Sequence, residues 1–293
     1  MPHNKLIAVL QKAFSSEKLQ LPKELDESSL PFPIASNITL QQYNSFVERK
    51  EISGYKLDYK KGTVYIVEMA TPEHEVVIDV IRHYFNIFCP GFPTDALIQV
   101  SGQINHIAPD GSRRSPDVAV SPHPILIPNP PVQHPGPPPS DTRGNPHARV
   151  IIEVAVTQSY NDLRDKCRLW RRQLYVRSIL GIKLYDVLAT RDASGHRERA
   201  MKAVLWRQGV AKQKWHFGTV DKNGNQFTPG TNVCNTANDP NFIINIPVAD
   251  IFYDPPVPTI GYTGPLGLPI FYNANIVIDL YRVQQAVLMK QEK

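Results

Sequence analysis

The sequence predicts an α/β fold in which helices flank a small mixed sheet, and three observations support this class. Short runs rich in β-branched residues, such as Val118–Val120 and Val150–Val156, alternate along the chain with amphipathic segments of helical periodicity. The 293 residues are 42% hydrophobic and 20% charged, which is typical of a globular protein rather than a disordered one. A chain of this length can bury one sizeable core.

Charge and cysteine content limit the expected partners and compartment. The formal net charge of +5 fits a polyanionic partner and equally fits a merely solvated surface. Cys89, Cys167 and Cys234 are widely spaced and lack C-x-x-C spacing, so we expect neither disulfides nor a zinc site, and a reducing compartment. The apolar N-terminal run is too short for a secretory signal, and no segment approaches the ~20 apolar residues of a membrane span. We therefore expect an intracellular protein, cytoplasmic or nuclear, that neither enters a membrane nor is secreted.

Composition divides the chain into three regions. Residues 1–37 are expected to form an N-terminal extension, with a short helix around Asn4–Phe14 and a polar linker. Residues 38–255 form the predicted main domain, and residues 256–293 a C-terminal extension with a helix. An insert at 122–146 holds ten prolines in 25 residues, a density that excludes regular structure. An extended loop is favoured there, and a ligand for a proline-recognising groove is the alternative.

Residues 39 to 121 are predicted to form two helices and several strands. Thr39 and Gln42 have capping-box spacing at the start of the first helix, and Pro72 begins the second with acids in its first turn. The predicted strands are Tyr55–Asp58, Thr63–Glu68, Leu97–Ile107 and Arg114–Ser121, the first two joined as a hairpin by Lys61-Gly62. The second helix has a broad apolar face, so we expect it to pack against the sheet.

The rest of the chain predicts a third helix and further strands. Ser159 and Asp162 have capping-box spacing, so this helix should begin near Tyr160. Its predicted apolar stripe is Leu163, Cys167, Trp170 and Leu174, and the helical region is expected to end at Leu180-Gly181. The later predictions are a strand at Ile182–Ala189, a hairpin of Ala200–Arg207 with Gln213–Thr219, a strand at Phe242–Ile246 and a terminal helix within Asn275–Lys293.

Two carboxylates within the apolar runs are the main candidates for a functional site. Burying an unpaired carboxylate is costly, so acids in two consecutive strands indicate a shared metal ion. Strand alternation places Asp117 and Glu153 away from the valines that fill the core, where they can line a cleft. Hard oxygen ligands suit Mg²⁺ or Mn²⁺. Lys166 borders the apolar stripe of the third helix and can reach toward the carboxylates.

Each of these residues also has a purely structural interpretation. Asp117 follows a proline and could be a turn residue, whereas Glu153 could form a structural salt bridge with Lys166 or Arg149. The arginines of the third helix could hold a nucleic-acid backbone without reading sequence, or could form a solvated face. These arginines are Arg164, Arg168, Arg171 and Arg172.

In order and spacing, these residues resemble the PD-(D/E)XK nuclease superfamily, and within it the restriction endonuclease family called Uma2. The superfamily motif corresponds to Pro116-Asp117 and to Glu153-Val154-Ala155, with alanine where that motif has lysine. The Uma2 pattern instead carries its lysine on the following helix, in a D-L-x-x-K segment that Asp162–Lys166 matches. The resemblance covers about residues 40 to 255 and implies a restriction-endonuclease-like core.

The resemblance also implies an activity and a set of site residues. It implies a Mg²⁺- or Mn²⁺-dependent endonuclease acting on nucleic acid, DNA in particular, with the ion held by Asp117, Glu153 and the carbonyl of Val154. Lys166 would position the attacking water and stabilise developing charge. His74 matches a histidine that opens the second helix, although such a histidine is more often a local hydrogen-bonding group. Glu68 and Glu75 are further candidates for a metal or phosphate site.

Two positions depart from the resembled patterns, and the expected function is the metal-dependent endonuclease with a non-cleaving protein as the alternative. The Uma2 hairpin begins Y-E-L, whereas this chain has Tyr55-Lys56-Leu57. The departures at Lys56 and Ala155 favour a catalytically degenerate protein that binds nucleic acid without cutting it, and retention of Asp117, Glu153 and Lys166 favours an enzyme. A protein-interaction module that uses the proline-rich insert is a further alternative. A homodimer is left open.

Overall fold

The computed structural model describes residues 29–49, 55–69, 71–88, 97–102, 105–126, 146–228, 230–253 and 273–291. The predicted helix around Asn4–Phe14, Cys89 and most of the proline-rich insert lie outside these residues. None of the helices in the described part of the chain is both long and apolar enough to cross a membrane.

The elements follow one another in a mixed α and β order. The strands are β1 (Phe32–Ala35), β2 (Tyr55–Lys60), β3 (Thr63–Met69), β4 (Ile98–Ser101), β5 (His106–Ile107), β6 (Arg113–Arg114), β7 (Val118–Pro122), β8 (Val150–Ala155), β9 (Ser178–Arg191), β10 (Arg197–Arg207), β11 (Gln213–Gly218), β12 (Ile243–Pro247) and β13 (Asn275–Asp279). The helices are α1 (Leu40–Arg49), α2 (Pro72–Phe88), α3 (Tyr160–Trp170), α4 (Val248–Ile251) and α5 (Leu280–Lys290).

The largest sheet in the described residues is mixed, as predicted. Its strand order is β11-β10-β9-β8-β7-β4, and only the β8–β9 pair is parallel among these neighbours. Parallel neighbours need a long crossover, and α3 supplies it between β8 and β9. The sheet therefore combines two antiparallel halves around one β-α-β unit.

Alternation along β8 sorts its residues onto two buried faces. Val150, Ile152 and Val154 join a core cluster with residues of α2, α5, β12 and β13. Ile151 and Ala155 join a second cluster with α3 on the other face. The predicted alternation is confirmed, and both faces of the strand are covered, as expected for a strand in the middle of a layered α/β fold.

The third helix begins as predicted and ends earlier than predicted. Ser159 is its N-cap, and its hydroxyl accepts a hydrogen bond from the Asp162 amide at 3.1 Å. Leu163, Cys167 and Trp170 are buried, whereas Leu174 lies beyond the helix end and is 58% exposed, so its predicted place in the apolar stripe is wrong.

Gly181 does not end a helical region but lies inside β9, which begins at Ser178. The prediction failed because a glycine in an apolar run can equally mark close packing. A Cβ atom at position 181 would lie 3.1 Å from the Trp206 ring and 3.3 Å from Cys167 Sγ. The absence of that atom lets α3 and Trp206 pack closely on the sheet.

Two other predicted elements are divided differently in the structure. The predicted strand Leu97–Ile107 consists of β4 and β5, which pair with β7 and β6 in separate sheets. The first residues of the predicted terminal helix form β13, which pairs with β12, and only Leu280–Lys290 is helical. Residues of α5 are part of the main core cluster, so the described C-terminal segment shares that core. The division of the chain into domains at residue 255 stays a prediction.

A small unit at the edge of the fold presents the β2–β3 hairpin to the main sheet. Strands β1, β3 and β2 form a three-stranded antiparallel sheet that packs with α1 around its own apolar cluster. The predicted capping box of α1 is confirmed: the Thr39 amide donates to Gln42 Oε1 at 2.8 Å, and the Gln42 amide donates to Thr39 Oγ1 at 3.2 Å. Arg114 joins the unit to the main domain through Asp58 and the carbonyl of Tyr59.

Candidate active site

Asp117 and Glu153 are brought together by the pairing of two strands. Val118 of β7 lies opposite Ile152 of β8, and the same antiparallel register places Asp117, just before β7, opposite Glu153. Directly opposite residues of an antiparallel pair project to the same face with Cβ atoms about 5 Å apart. Both side chains are buried, Glu153 with no exposed surface.

One oxygen of each carboxylate is held by an N–H group of the fold. Asp117 Oδ2 accepts a hydrogen bond from the Val154 amide at 2.7 Å, and Glu153 Oε1 accepts one from Trp170 Nε1 at 2.8 Å. The two remaining oxygens face a common position. Trp170 was predicted only as a core residue, yet a buried indole N–H needs an acceptor, and that requirement could have indicated this contact.

The ammonium group of Lys56 occupies the position between the two carboxylates. Its Nζ lies 2.6 Å from Asp117 Oδ1 and 2.9 Å from Glu153 Oε2. Lys56 is the second residue of β2, and its side chain is only 16% exposed. The sequence identified Lys56 as a departure from the expected glutamate and did not predict that it would contact both carboxylates.

Lys166 reaches the same site from the third helix, as predicted. Its Nζ lies 2.8 Å from Glu153 Oε2, so this oxygen contacts two ammonium groups. Lys166 lies between the buried positions Leu163 and Cys167–Trp170 on α3, and one turn of helix separates Lys166 from Trp170. Two residues of one helix therefore hold the two oxygens of Glu153.

His74 approaches Asp117 from the first turn of α2. Its Nε2 atom lies 3.5 Å from Asp117 Oδ1, an ion-pair contact rather than a hydrogen bond, and its Nδ1 atom lies 3.0 Å from Glu75 Oε1. The His74 amide donates to Thr71 Oγ1 at 3.2 Å, which fixes the start of the helix. The predicted residues Asp117, Glu153, Lys166 and His74 thus lie together around Lys56.

Neighbouring charges shift the protonation equilibria of this cluster. Burial alone would raise the pKa of Asp117, but Lys56 and His74 hold it well below its usual range. Burial lowers the pKa of Lys56, but the carboxylates of Asp117 and Glu153 raise it by more, so the net change is an increase. For Lys166 the effect of burial is larger than that of Glu153, so its pKa is lowered. Burial disfavours the charged form of His74, whereas the nearby Asp117 carboxylate favours it. The net effect raises the pKa of His74 to about 10. Asp117 is therefore an anion and Lys56 and His74 are cations at neutral pH.

The arrangement fits an ammonium group and not a divalent cation. Of the four carboxylate oxygens, two accept from N–H groups and the two facing each other contact Lys56. A divalent ion with oxygen ligands would have to displace that ammonium before either facing oxygen could coordinate it. Within the described residues, no group of three or more His, Cys, Asp or Glu side chains has a geometry that could hold a metal.

Glu68 and Glu75 have structural partners outside the space between the carboxylates. Glu68 is buried, and its Oε1 atom accepts hydrogen bonds from the amides of Val156 and Thr157 at 2.8 and 3.0 Å. These two bonds hold the chain where it leaves β8. Glu75 contacts His74, and the hydrogen bond from His74 lowers the pKa of Glu75.

The arginines of α3 lie on the side of the helix away from Lys166. Arg164 and Arg168 are each two residues from Lys166, a rotation of about 200° around the helix axis. Both contact Asp165 at 3.3 Å. Arg171 and Arg172 follow the helix end and are exposed. The structure therefore does not bring any of the four predicted backbone-binding arginines to the carboxylates.

Arg164 and Arg168 instead act on Tyr160, which adjoins an exposed basic region that we call the basic surface. It consists of Lys202, Lys212, Lys214, His216 and Lys222 on and beside strands β10 and β11. Lys202 lies opposite His216 in the strand pair, and its Nζ lies 3.6 Å from the centre of the Tyr160 ring at the start of α3. Burial and the three neighbouring lysines lower the pKa of Lys202, so these charges repel one another.

Comparison with known proteins identifies the family of this chain. The sequence model of Uma2, described as "Putative restriction endonuclease", matches residues 40–192. No curated protein matches the chain. The crystal structure of a putative nuclease belonging to DUF820 from Anabaena variabilis ATCC 29413 aligns with a TM-score of 0.41 and 12% identity, over 61% of this chain and 84% of that one. A likeness this low carries no functional argument. The family match, however, covers 153 of the 293 residues, and the protein therefore belongs to the Uma2 family of putative restriction endonucleases.

Proposed function

We propose that this protein binds the phosphodiester backbone of nucleic acid, DNA in particular, through the basic surface, which lies beside a nuclease-type site that already contains its own cation. The observation that carries this proposal is the basic surface and its continuation onto α3. Within the described residues, Lys212 and Lys214 have no acidic partner, so their charges are available to phosphates, whereas Lys222 also acts on its neighbour Asp221. Membership of a family of putative restriction endonucleases supports nucleic acid as the partner.

The basic surface suits contacts that do not depend on base sequence. Lys202 and Tyr160 connect the hairpin lysines to Arg164 and Arg168, whose charges act on the Tyr160 hydroxyl. A row of Lys and Arg on one side of a helix and an adjacent hairpin can follow a phosphate backbone. We expect affinity of this kind to fall steeply with salt, because each phosphate contact releases a counterion.

A Mg²⁺- or Mn²⁺-dependent endonuclease is the second candidate function. The convergence of Asp117, Glu153 and Lys166 favours it, because these side chains could orient a water molecule and stabilise developing charge. Asp117, Glu153 and the carbonyl of Val154 would be the ligands of the ion, which would supply an activated water. The position of Lys56 opposes this candidate.

A combined binding and cleavage assay separates the two candidates. Purified protein is incubated with single- and double-stranded DNA and RNA, with and without Mn²⁺, while fluorescence anisotropy records binding and gel electrophoresis records cleavage. We expect salt-dependent binding and no metal-dependent cleavage. Absence of binding to every nucleic acid at low salt would refute the proposal.

Two variants show whether any observed cleavage comes from this site. Glu153→Gln keeps the shape of the side chain and an oxygen that can accept from Trp170, and it controls for contaminating nuclease. Lys166→Met removes the ammonium and keeps most of the apolar stem. If Mn²⁺-dependent cleavage disappears in the first variant and falls by ~10²–10³ in the second, the second candidate is correct.

A further inference from the structure

Lys56 makes the contacts that a shared cation would make in this site. Its Nζ is 2.6 Å from Asp117 Oδ1 and 2.9 Å from Glu153 Oε2, and no other side chain in the described residues joins these two carboxylates. The opposite oxygen of each carboxylate is fixed by Val154 or Trp170, so neither group can rotate freely to serve another ligand. The space between the carboxylates is therefore arranged around an ammonium group.

The charges of the buried cluster are already balanced. Asp117 and Glu153 contribute two negative charges, and Lys56 and Lys166 contribute two positive charges at 2.6 to 2.9 Å. The positive charge of His74, beside Asp117, is matched by Glu75 at 3.0 Å. A divalent ion added to this cluster would leave two uncompensated positive charges in a buried site, where charge repulsion is only weakly screened. Binding of such an ion requires Lys56 to leave, and the tethered ammonium competes at a high effective concentration.

The hairpin fixes Lys56 in this position. Lys56 lies in β2 directly opposite Glu68 of β3, and the hairpin packs with β1 and α1 as a unit with its own core. Lys60, four residues along the same strand, points to a different place, where its Nζ pairs with Asp162 at 3.2 Å and its side chain is 51% exposed. The strand thus carries one lysine inside the site and one at its outer edge.

We propose that Lys56 takes the place of a divalent cation in this protein and closes a latent metal site, which an acidic residue at position 56 would open. This inference rests on the proposed site. A carboxylate at position 56 would add a third oxygen ligand to Asp117 and Glu153 and would exchange one positive for one negative charge. Hard oxygen ligands in this number suit Mn²⁺ and Mg²⁺.

Isothermal titration calorimetry with MnCl₂ on the full chain tests the inference. We expect no Mn²⁺ binding by the wild type at millimolar ion, and binding at least 100-fold tighter by Lys56→Glu. Lys60→Glu is the matched control, because it adds the same charge to the same strand outside the site, and we expect no gain of binding there. Equal Mn²⁺ affinity in the wild type and Lys56→Glu would overturn the proposal.

A second variant keeps the test decisive if Lys56→Glu does not fold. Lys56→Met removes the ammonium and keeps the stem, which leaves two carboxylates without a cation between them. We expect Mn²⁺ to raise the melting temperature of this variant and to leave that of the wild type unchanged, because a ligand stabilises only the state that binds it. If Mn²⁺ does not raise the melting temperature of Lys56→Met, the proposal is contradicted. Anisotropy with DNA on the same wild-type preparation tests the proposed function separately, because loss of DNA binding does not alter the Mn²⁺ comparison.

Discussion

Two groups of lysines on this protein carry the same charge and have opposite surroundings. Lys56 and Lys166 are buried with two carboxylates, and each ammonium group has an acidic oxygen within 2.9 Å. The lysines of the basic surface are on the outside, and the charges nearest to Lys202 are other lysines. The first group satisfies an acidic pair inside the fold, whereas the second leaves positive charge for an anionic partner. Burial and partners, rather than residue type, decide what each lysine does.

The comparison also separates stability from binding. A buried ion pair is costly to break because the remaining partner becomes an unpaired buried charge. Exposed like charges contribute little to folding and act mainly through the field that they present to a ligand. Changes in the buried cluster should therefore appear as lost stability, and changes in the basic surface as lost affinity.

Replacing Glu153 should have the largest effect on stability. Glu153→Ala removes the buried acceptor of Lys166 and of the Trp170 N–H and one of the two acceptors of Lys56. We expect a loss of about 3–5 kcal/mol in the free energy of unfolding, the usual cost when one partner of a buried pair is removed. Urea denaturation monitored by circular dichroism measures it. Asp165→Ala, which breaks two exposed contacts of α3, is the control and should stay within about 0.5 kcal/mol of wild type.

His106 extends the comparison because it is a half-buried base that has no acidic partner among the residues the structure describes. Burial lowers the pKa of His106 to about 4, and its ring meets Trp170 edge-on with centroids 6.4 Å apart. The unfolded chain takes up a proton below about pH 6.5 and the folded chain does not, so stability is present above that pH and falls as the pH drops toward 4. We expect this group to contribute a loss on the order of 2–3 kcal/mol over that interval.

His106→Phe should reduce the acid-side loss while keeping an aromatic ring against Trp170. The measurement is the free energy of unfolding in urea at intervals from pH 7 to pH 4. A variant whose stability falls as steeply as that of the wild type would show that His106 does not determine this pH dependence.

Neutralising the basic surface should lower affinity and leave stability unchanged. In Lys212→Gln/Lys214→Gln/Lys222→Gln we expect DNA affinity near 0.15 M salt to fall about tenfold or more, and the slope of log K against log salt to decrease by at most ~3. Fluorescence anisotropy at several salt concentrations measures both quantities. Arg282→Gln/Lys290→Gln, on α5 at the opposite face of the sheet, should bind as the wild type does. Equal losses in both variants would exclude a localised interface.

The smallest expected effect concerns the exposed pair of Lys60 and Asp162. This pair links the β2–β3 hairpin to α3 at 3.2 Å and is open to solvent. Lys60→Met should cost less than about 1 kcal/mol, because exposed ion pairs gain little over hydration. Urea denaturation of this variant beside Lys56→Met compares two lysines of one strand. A greater loss for Lys60→Met than for Lys56→Met would reverse the comparison.

Most of the fold follows from local sequence patterns. The alternation in β7 and β8, the N-cap of α3 and the hairpin at Lys61-Gly62 each depend on neighbouring residues, and the structure confirms them. The wrong predictions concern the ends of elements. Gly181 and residues 275–279 carry patterns that fit more than one element, and the choice depends on packing with distant residues such as Trp206 and β12.

The candidate site was predictable where it lies on consecutive elements. Asp117 directly precedes β7, and Glu153 and Lys166 belong to β8 and α3, so register and helix periodicity bring them together. The contact of Lys56 was not predictable in this way, because β2 lies in another sheet and 61 residues separate Lys56 from Asp117. A buried pair of acids implies a nearby cation, but the sequence alone does not distinguish an ion from a lysine. The roles of these residues in binding or cleavage stay predictions.

Gly181 also has a consequence for the site, although it contacts none of the charged groups. It lies opposite Glu153 in the parallel pair of β9 and β8, and it faces Cys167 of α3. A methyl group at position 181 would press on Cys167 and Trp206 at distances of 3.1 to 3.3 Å and push the helix away from the sheet. Lys166 and Trp170 flank Cys167 on that rigid helix and would move with it. The spacing between the helix and the sheet, which the missing side chain of Gly181 allows, therefore keeps Lys166 and Trp170 within reach of Glu153.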